Sequence, residues 1–456
     1  MNILLIGNGF DLAHGLPTKY TDFLEFCKVV SIIYEDEKIN LHLFEEICLT
    51  QCNLNEEIKK RLLNVFDSRK DYKEVDSENG GFLHIFTTNY PRTDELYALI
   101  KNNLWIEYFL PIYKSRETGG KNGWIDFESE ISGVIQSLDD DMYSLNERCN
   151  LDDEITNLSN NFLREKFSEC TFIVQQINML GSKESPKSIT FKEIRNRLLN
   201  DLNRLIRALE IYLAIYVNEM QYNEELSVIK NIFEKKDEQG KITGIINTKI
   251  LSFNYTATFT RIYKNSFDID YIHGKANINN TINSNNMVLG IDEYLSKERR
   301  DKETEFIAFK KFYQRIHKQT GCKYKEWVDI IKGDFDDYQI ELEKSTAEKN
   351  FMALKAIANK LKKQYLNKHH VYIFGHSLDV TDKDILRDII LNDNVHITIF
   401  YHDKDAMGQQ IANLVKVIGQ DELIKRTGGK DKLIEFKSQK PMEEKTKGFV
   451  SQCDQT

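Results

Sequence analysis

Two glycines near the start of the chain have the spacing that a phosphate-binding turn requires. Gly7 and Gly9 flank Asn8 directly after the apolar residues 3–6. A glycine pair at the end of a strand lets the backbone approach a phosphate, and a following helix presents unpaired N–H groups to the anion. The same residues also form ordinary strand-to-helix turns, and their spacing differs from the dinucleotide-binding Gly-x-Gly-x-x-Gly pattern. The glycine turn therefore predicts a nucleotide-binding site only if other loops lie next to it in the fold.

Four further loops, rich in glycine or polar residues, follow predicted strands. They surround Asn254, His273, Gly290 and Gly375. The carboxyl ends of the strands form the ligand crevice in an open α/β sheet, so we expect all five loops to meet at one pocket. Their convergence is stronger evidence for a binding site than any one loop.

The predicted strands are short apolar runs without clear alternation, which is typical of a parallel sheet covered on both faces. They cover residues 3–6, 250–253, 270–273, 287–291, 371–375 and 395–401. The sequence thus predicts an α/β fold with a Rossmann-like parallel sheet. Residues 1–20 and 245–436 are assigned to this domain, and residues 437–456 are expected to form a flexible tail.

The intervening residues 21–244 are predicted to be a large all-helical insertion, because their apolar period is mostly helical. The clearest helix has an apolar stripe formed by Ile194, Leu198, Leu202, Leu205, Ile206 and Leu209. Its arginines are expected to form a solvated face, at positions Arg195, Arg197, Arg204 and Arg207. A second helical block, from about residue 296 to residue 363, has Trp327 as its expected core residue.

Charge and cysteine content restrict the class of protein. Lys and Arg number 62 against 71 Asp and Glu, a net charge of −9, so we do not expect nucleic-acid binding to be the function. The seven cysteines include no Cys-x-x-Cys pair and are expected to be buried thiols without bound zinc. We expect a cytoplasmic protein that binds no membrane, since no apolar run approaches the ~20 residues of a membrane span.

Residues 7–17, Gly-Asn-Gly-Phe-Asp-Leu-Ala-His-Gly-Leu-Pro, resemble the Gly-Ala-Gly-x-Ser-x-x-x-Gly-Ile-Pro opening of sirtuin-type NAD-binding domains. Four later segments are similar to motifs of that superfamily, in the same order. They are the Thr-x-Asn segment at Asn254, the His-Gly at His273, the Phe-Gly-Glu turn at Gly290 and the Gly-Thr-Ser-Leu loop at 375–378. The resemblance implies a sirtuin-type sheet with NAD as its ligand.

A closer resemblance covers nearly the whole chain. The opening at residues 6–23, the Trp-Ile-Asp-Phe-Glu at 124–128, the Phe-Asn-Tyr-Thr at 253–256 and the late Gly-His-Ser-Leu-Asp segment resemble the AbiH family of bacterial abortive-infection proteins. This resemblance implies defence against phage, set off by an unknown phage trigger. Residues 124–128 are expected to be structural, and a second Thr-x-Asn-like piece at 86–90 is interpreted as a coincidental loop.

Two departures from the sirtuin pattern define the implied activity. Thr256 stands where deacylases carry Asp, and no zinc ribbon separates His273 from Gly290. Protein deacylation is therefore not expected. The resemblance implies instead that NAD is a substrate, hydrolysed to nicotinamide and ADP-ribose without a metal.

The same resemblance implies a role for each site residue. Asn254 and His273 match the catalytic positions, where Asn254 would hold the ribose or the attacking water and His273 would accept a proton from a ribose hydroxyl or from that water. Cofactor-binding roles are implied for Gly7, Asn8, Gly9, Phe10, Asp11, Gly290, Gly375, Ser377 and Asp379. Of these, Gly9 can be tested directly, because Gly9→Val is expected to block the ligand while the domain still folds.

An alternative remains open. The chain could be a non-catalytic sensor that binds NAD or ADP-ribose and signals to a partner protein. The sequence does not determine whether the protein is an enzyme, and the helical insertion could form a lid, a sensor or a homo-oligomer surface. Release of nicotinamide by the purified protein would separate the two hypotheses.

Overall fold

The computed structural model describes residues 1–35, 41–50, 52–76, 92–118, 125–149, 166–167, 191–222, 224–239, 241–263, 267–345, 351–366, 368–430 and 432–439. The chain forms two compact units. The first contains Met1–Leu16, Gln221–Lys275 and the chain from Gln319 onward, and the second contains Pro17–Met220 and Ala276–Lys318. The expected division instead placed residues 276–318 with the sheet.

Six strands of the first unit form one sheet and two more form a hairpin. The strands are β1 (Asn2–Ile6), β2 (Glu234–Lys236), β3 (Ile242–Ile245), β4 (Thr248–Ser252), β5 (Asp268–Tyr271), β6 (His369–Phe374), β7 (Val395–Tyr401) and β8 (Ile434–Ser438). β2 and β3 pair antiparallel as the hairpin.

The helices alternate with these strands or lie in the second unit. They are α1 (Asn8–Ala13), α2 (Tyr20–Glu35), α3 (Leu41–Thr50), α4 (Glu56–Asp76), α5 (Thr93–Ile100), α6 (Leu104–Thr118), α7 (Phe127–Cys149), α8 (Phe191–Ile211), α9 (Ser227–Phe233), α10 (Thr258–Ile262), α11 (Lys297–Arg300), α12 (Lys311–Lys318), α13 (Tyr324–Ser345), α14 (Phe351–Leu361), α15 (Lys383–Ile390), α16 (Lys404–Ile418) and α17 (Gln420–Thr427). Two π-helical segments extend α8 and α14, Tyr212–Val217 and Lys362–Leu366. None of the described helices is long and apolar enough to cross a membrane.

The large sheet is parallel throughout, with the strand order β5-β4-β1-β6-β7-β8. Numbered within this sheet alone, that order is 3-2-1-4-5-6, the order of doubly wound Rossmann-like sheets. β1 occupies the centre, and the order reverses between β1 and β6. The prediction that the first strand pairs with strands late in the chain is therefore confirmed.

Successive residues of β1 enter different cores, because side chains of a strand alternate between the faces of the sheet. Ile3 and Leu5 pack with Trp327 in one apolar cluster. Leu4 and Ile6 pack in another, with Phe10 and with residues of α9 and α10. Both faces of the sheet are thus covered, which explains why its strands show no polar alternation.

In the second unit, α8 buries the predicted stripe, and Leu198, Leu202 and Leu205 have no exposed surface. Its Arg207 is also fully buried, so the prediction of a solvated basic face is wrong at this position. The Arg207 guanidinium donates to Glu95 at 3.0 Å and to Glu210 at 2.6 Å. Glu210 in turn accepts from the Asn277 backbone N–H, which anchors the asparagine-rich loop to α8.

Several local predictions are corrected. Residues 287–291 do not form a strand, because Ile291 makes only an isolated bridge to Lys310. The stretch 21–244 is not entirely helical, since it contains β2 and most of the hairpin. β8 was not predicted, and it occupies residues 437 and 438 of the expected tail.

Other predictions are placed as follows. Trp327 is buried as expected, and so are Ile125 and Phe127 of the segment 124–128. Cys322 is exposed, unlike the buried Cys27 and Cys52. Trp124, residues 86–90 and residues 440–456 of the predicted tail lie outside the described residues.

Candidate functional site

Four of the five predicted loops follow strands of the sheet at its carboxyl edge. Gly7 follows β1, Asn254 follows β4, His273 follows β5 and Gly375 follows β6. Since β1 and β6 meet where the strand order reverses, the edge that these loops form includes the topological switch point, where doubly wound sheets bind ligands. Gly290 follows no strand and belongs to the second unit, where a Cβ would overlap the Phe309 carbonyl oxygen.

The loops after β1 and β6 touch each other through glycine. The Gly7 N–H donates to the Phe374 carbonyl at 3.1 Å, and the Gly9 N–H donates to the Gly375 carbonyl at 2.8 Å. A Cβ built on Gly9 would lie 2.7 Å from the Gly375 Cα. Close backbone packing therefore explains the glycines without a ligand, and their role in binding stays a prediction.

The short helix α1 follows this contact and turns two predicted residues inward. Phe10 is fully buried, and its ring packs 6.0 Å from that of Phe259 and 6.1 Å from that of Phe374. Asp11 is buried on the same helix, whereas Asn8 is exposed at its start. The packing of Phe10 accounts for its apolar character, and the ligand contact implied for it stays a prediction.

Asp11 lies in a polar cluster with residues that follow β4. Its Oδ2 accepts from the Thr256 hydroxyl at 2.6 Å, and the Thr258 hydroxyl donates to that of Thr256 at 3.0 Å. Burial raises the pKa of Asp11 to about 6, although the Thr256 hydroxyl opposes the shift. The Asn254 side chain is close enough to favour the ionised form of this carboxyl.

Two polar atoms of this cluster are incompletely satisfied, although the Asn254 side chain lies close to the Asp11 carboxyl. Within the part of the chain that the structure describes, neither Asp11 Oδ1 nor Asn254 Nδ2 makes a well-formed hydrogen bond, and both are buried. Leaving a buried donor or acceptor unpaired costs about 1–3 kcal/mol, so such atoms require an explanation. A carboxylate oxygen accepts a hydrogen bond and an amide nitrogen donates one, so the pair offers complementary partners to one hydroxyl group.

His273 stands two residues after β5 and is 4% exposed. Its Nε2 lies 3.0 Å from Oδ1 of Asp382. The ring also contacts Phe253, with 5.4 Å between centroids, and Tyr255 at 6.3 Å. The structure therefore supplies a buried histidine with a carboxylate partner that the sequence analysis did not predict.

The same carboxylate faces a second histidine. Oδ2 of Asp382 lies 3.5 Å from Nε2 of His376, and the Phe253 ring packs against the His376 ring at 4.4 Å. His376 lies in the Gly-His-Ser-Leu-Asp segment after β6, and Asp382 follows that segment three residues later. Only the loop conformation brings the two side chains together. Gly375 has a φ of +67° and Leu378 one of +59°, and the left-handed conformation costs roughly 1–2 kcal/mol at a residue such as Leu378.

The remaining predicted residues of that loop have structural partners. The Ser377 carbonyl accepts from the Asn413 side chain at 2.9 Å, and its side chain is exposed. Asp379 Oδ1 accepts from the Thr381 N–H at 3.0 Å and caps the helical turn Val380–Asp382. The contacts with adenosine implied for these two residues stay predictions.

No group of three His, Cys, Asp or Glu among the described residues is arranged to hold a metal ion. The histidines and Asp382 face one another rather than a common centre. The loops after β1 and β4 thus bring together the polar groups of Asp11 and Thr256, and the loops after β5 and β6 bring together the pair of His273 and Asp382.

Fold and site together define a doubly wound α/β protein with a candidate ligand site at the carboxyl edge of its sheet. The family described as Bacteriophage abortive infection AbiH matches residues 3–402, and the chain belongs to this family. No curated protein and no solved structure matches the chain significantly. The resemblance to AbiH proteins is therefore confirmed, whereas the relationship to sirtuins stays a prediction.

Proposed function

We propose that the protein is an antiphage abortive-infection effector that hydrolyses NAD to nicotinamide and ADP-ribose through a sirtuin-like site. The observation that carries the proposal is the buried pair Asp11 Oδ1 and Asn254 Nδ2 at the carboxyl edge of the sheet, neither of which makes a well-formed hydrogen bond among the described residues. The sequence motifs around both residues resemble those of NAD-binding domains, and membership of an abortive-infection family agrees with an activity that depletes a central metabolite.

A ribose hydroxyl can complete the hydrogen bonding of both atoms at once. It donates its proton to Asp11 Oδ1 and accepts a hydrogen bond from Asn254 Nδ2. Charge-assisted hydrogen bonds to a carboxylate are shorter and stronger than neutral ones, so the ionised Asp11 would hold the sugar firmly. In this proposal the nicotinamide ribose binds above the Asp11 cluster, with its anomeric carbon toward His273.

The reaction needs a base more than it needs an acid. Nicotinamide is cationic in NAD and leaves with the electron pair of the glycosidic bond as a neutral molecule. Water forms the new bond to the anomeric carbon, and its proton passes to His273. An oxocarbenium-like transition state is stabilised by polar groups around the sugar, which is the role we assign to Asn254 and Asp11.

The first test measures nicotinamide release from NAD by the purified full chain. Asn254→Ala and His273→Ala are each expected to lower turnover about 10²–10⁴-fold, because they remove a positioned dipole or base. KM should change less, since these groups act mainly on the transition state. His402→Ala is the matched control, because His402 forms a similar pair with Asp403 at 3.0 Å but is exposed.

Phage protection in cells separates the enzyme from the sensor. The enzyme hypothesis predicts that both alanine variants lose protection while the His402→Ala variant keeps it. If the purified protein binds NAD by calorimetry but releases no nicotinamide, and protection survives both substitutions, the sensor hypothesis replaces the proposed function.

A further inference from the structure

Both histidines of the site face the carboxylate of Asp382, and this arrangement constrains where their protons lie. An ionised carboxylate only accepts hydrogen bonds. The histidine nitrogens that face it, Nε2 of His273 at 3.0 Å and Nε2 of His376 at 3.5 Å, must therefore carry their protons. Asp382 also precedes α15 directly, and a helix N-terminus favours the ionised carboxylate.

The tautomer of His376 is determined independently by the backbone. The Leu378 N–H donates to Nδ1 of His376 at 2.9 Å, so Nδ1 carries a lone pair and the ring is neutral. The left-handed conformation of Leu378, with a φ of +59°, belongs to the loop that makes this contact. His376 can thus present only a neutral Nε2–H to the carboxylate.

We propose that His376 and Asp382 are positioning residues that hold His273 in its Nε2–H tautomer and make Nδ1 the atom that accepts the proton. This inference rests on the proposed function, because the proton comes from the attacking water. In this proposal His376, whose Nε2 lies 3.5 Å from the second oxygen of Asp382, limits rotation of the carboxylate. Asp382 then orients the His273 ring and stabilises the imidazolium that forms, as the aspartate does in Ser-His-Asp sites.

The packing around the three residues supports this assignment. Phe253 contacts both histidine rings, and His273, His376 and Asp382 are all buried. Hydrogen bonds are electrostatically stronger in such surroundings than in water, so a shared carboxylate can hold two rings in one geometry. A carboxylate behind a histidine also raises the basicity of the ring.

The tautomer can be measured without any substrate. In the full chain labelled with ¹⁵N-histidine, long-range ¹H–¹⁵N correlations should assign the Nε2–H form to His273 and to His376 in the wild type. His273→Gln and His376→Gln spectra identify the two signals. An Nδ1–H tautomer of His273 would overturn the proposal, whether or not the protein hydrolyses NAD.

The kinetic test uses three variants, each checked for folding by its thermal transition. Asp382→Asn should lower kcat about 10²–10⁴-fold, because the amide no longer selects one tautomer. The acid limb of its kcat/KM profile should move to lower pH, because the His273 imidazolium loses the negative charge that stabilises it. A purely structural role would leave that limb in place, and this result would contradict the proposal.

His376→Ala should lower kcat about 10–100-fold with little change in KM, as expected for a residue that acts through another. His376→Gln should retain most activity, because its amide nitrogen can donate to Asp382. If His376→Ala and His376→Gln lost activity equally, the role proposed for His376 would be wrong. If no variant or wild type hydrolyses NAD while the predicted tautomers are observed, the proposed function fails but the assigned hydrogen bonding stands.

Discussion

Burial of the Asp11 carboxyl lowers the stability of the fold, which is not expected of a residue with a purely structural role. Its carboxyl is fully buried, and burial raises its pKa from 3.8 to about 6. Oδ2 accepts from a threonine hydroxyl, whereas Oδ1 has no well-formed hydrogen bond among the described residues. Perturbed buried carboxyls are concentrated at functional sites, where stability is sacrificed for chemistry. Removing the charge should therefore stabilise the fold and impair the site.

We predict that Asp11→Asn stabilises the protein at neutral pH. The folded pKa exceeds the unfolded one, so the wild type loses stability as pH rises from about 4 through about 6. A shift of about two pKa units corresponds to about 3 kcal/mol, and the variant should exceed the wild type by this amount at pH 7.5. Urea unfolding at pH 5 should show about half of the difference.

Asp403→Asn provides a control for the same chemical change. Asp403 is exposed and caps α16 through the Ala406 N–H, and this hydrogen bond holds its pKa below the usual range. Because Asn is also a good N-cap, the change in stability should stay within about 0.5 kcal/mol. An Asp11→Asn variant that is less stable than the wild type at pH 7.5 would contradict the account of Asp11.

At the scale of elements, the contact between the loops after β1 and β6 depends on glycine. Gly375 has a φ of +67°, and a Cβ there would overlap the Phe10 nitrogen. The expectation that Gly9→Val leaves the domain folded is therefore not supported, since a Cβ on Gly9 would meet Gly375 Cα at 2.7 Å. If the Gly9→Val variant failed to bind the ligand, the result would not show whether the valine blocks the site or prevents the domain from folding.

We predict that Gly375→Ala destabilises the protein by about 2–4 kcal/mol, through left-handed strain and overpacking. Gly408 is the matched control, because it lies within α16 and a Cβ there meets nothing within 4 Å. Gly408→Ala should stabilise the protein by up to about 1 kcal/mol. Thermal denaturation compares the stability of the Gly375→Ala and Gly408→Ala variants. Equal changes in stability would show that the contact between the two loops does not depend on glycine at position 375.

At the scale of the whole molecule, the sheet unites distant parts of the chain. β1 pairs with β4 on one side and β6 on the other, so residues 2–6 bond to residues 248–252 and 370–374. Ile3, Leu4, Leu5 and Ile6 are all buried. Burying four such side chains contributes about 6–12 kcal/mol, which is comparable to the 5–15 kcal/mol stability of a typical domain.

We predict that a chain beginning with a new Met before Asn8 fails to accumulate as folded protein. Without β1 the sheet separates into β5-β4 and β6-β7-β8, each with an exposed edge. Size-exclusion chromatography after expression measures the folded fraction. Removing residues 440–456 is the control, because the sequence predicts a flexible tail there, and it should leave the folded fraction unchanged. A monodisperse, folded product from the shortened N-terminus would refute the central role of β1.

Much of the sheet could be predicted because its strands are continuous apolar runs that end in glycine or polar residues. This local signal identified β1, β4, β5, β6 and β7, and also the loops that bear Asn254 and His273. Arg207 shows the limit of such reasoning. The helical period placed it outside the apolar stripe, but Glu95 and Glu210 pair with it in the interior, and periodicity carries no information about distant partners.

Family membership, the parallel sheet and the residues that follow its strands could be predicted from the sequence, because all of these depend on local patterns. The meeting of Asp382 and His376 with His273 became visible in the folded chain alone, since it requires two left-handed residues in the loop after β6 and the pairing of β6 with β1. The tertiary structure also brings together Asp11 and Asn254, whose positions in the chain differ by 254 − 11 = 243. A buried polar cluster is a property of packing, and residue types alone do not specify which side chains will share it.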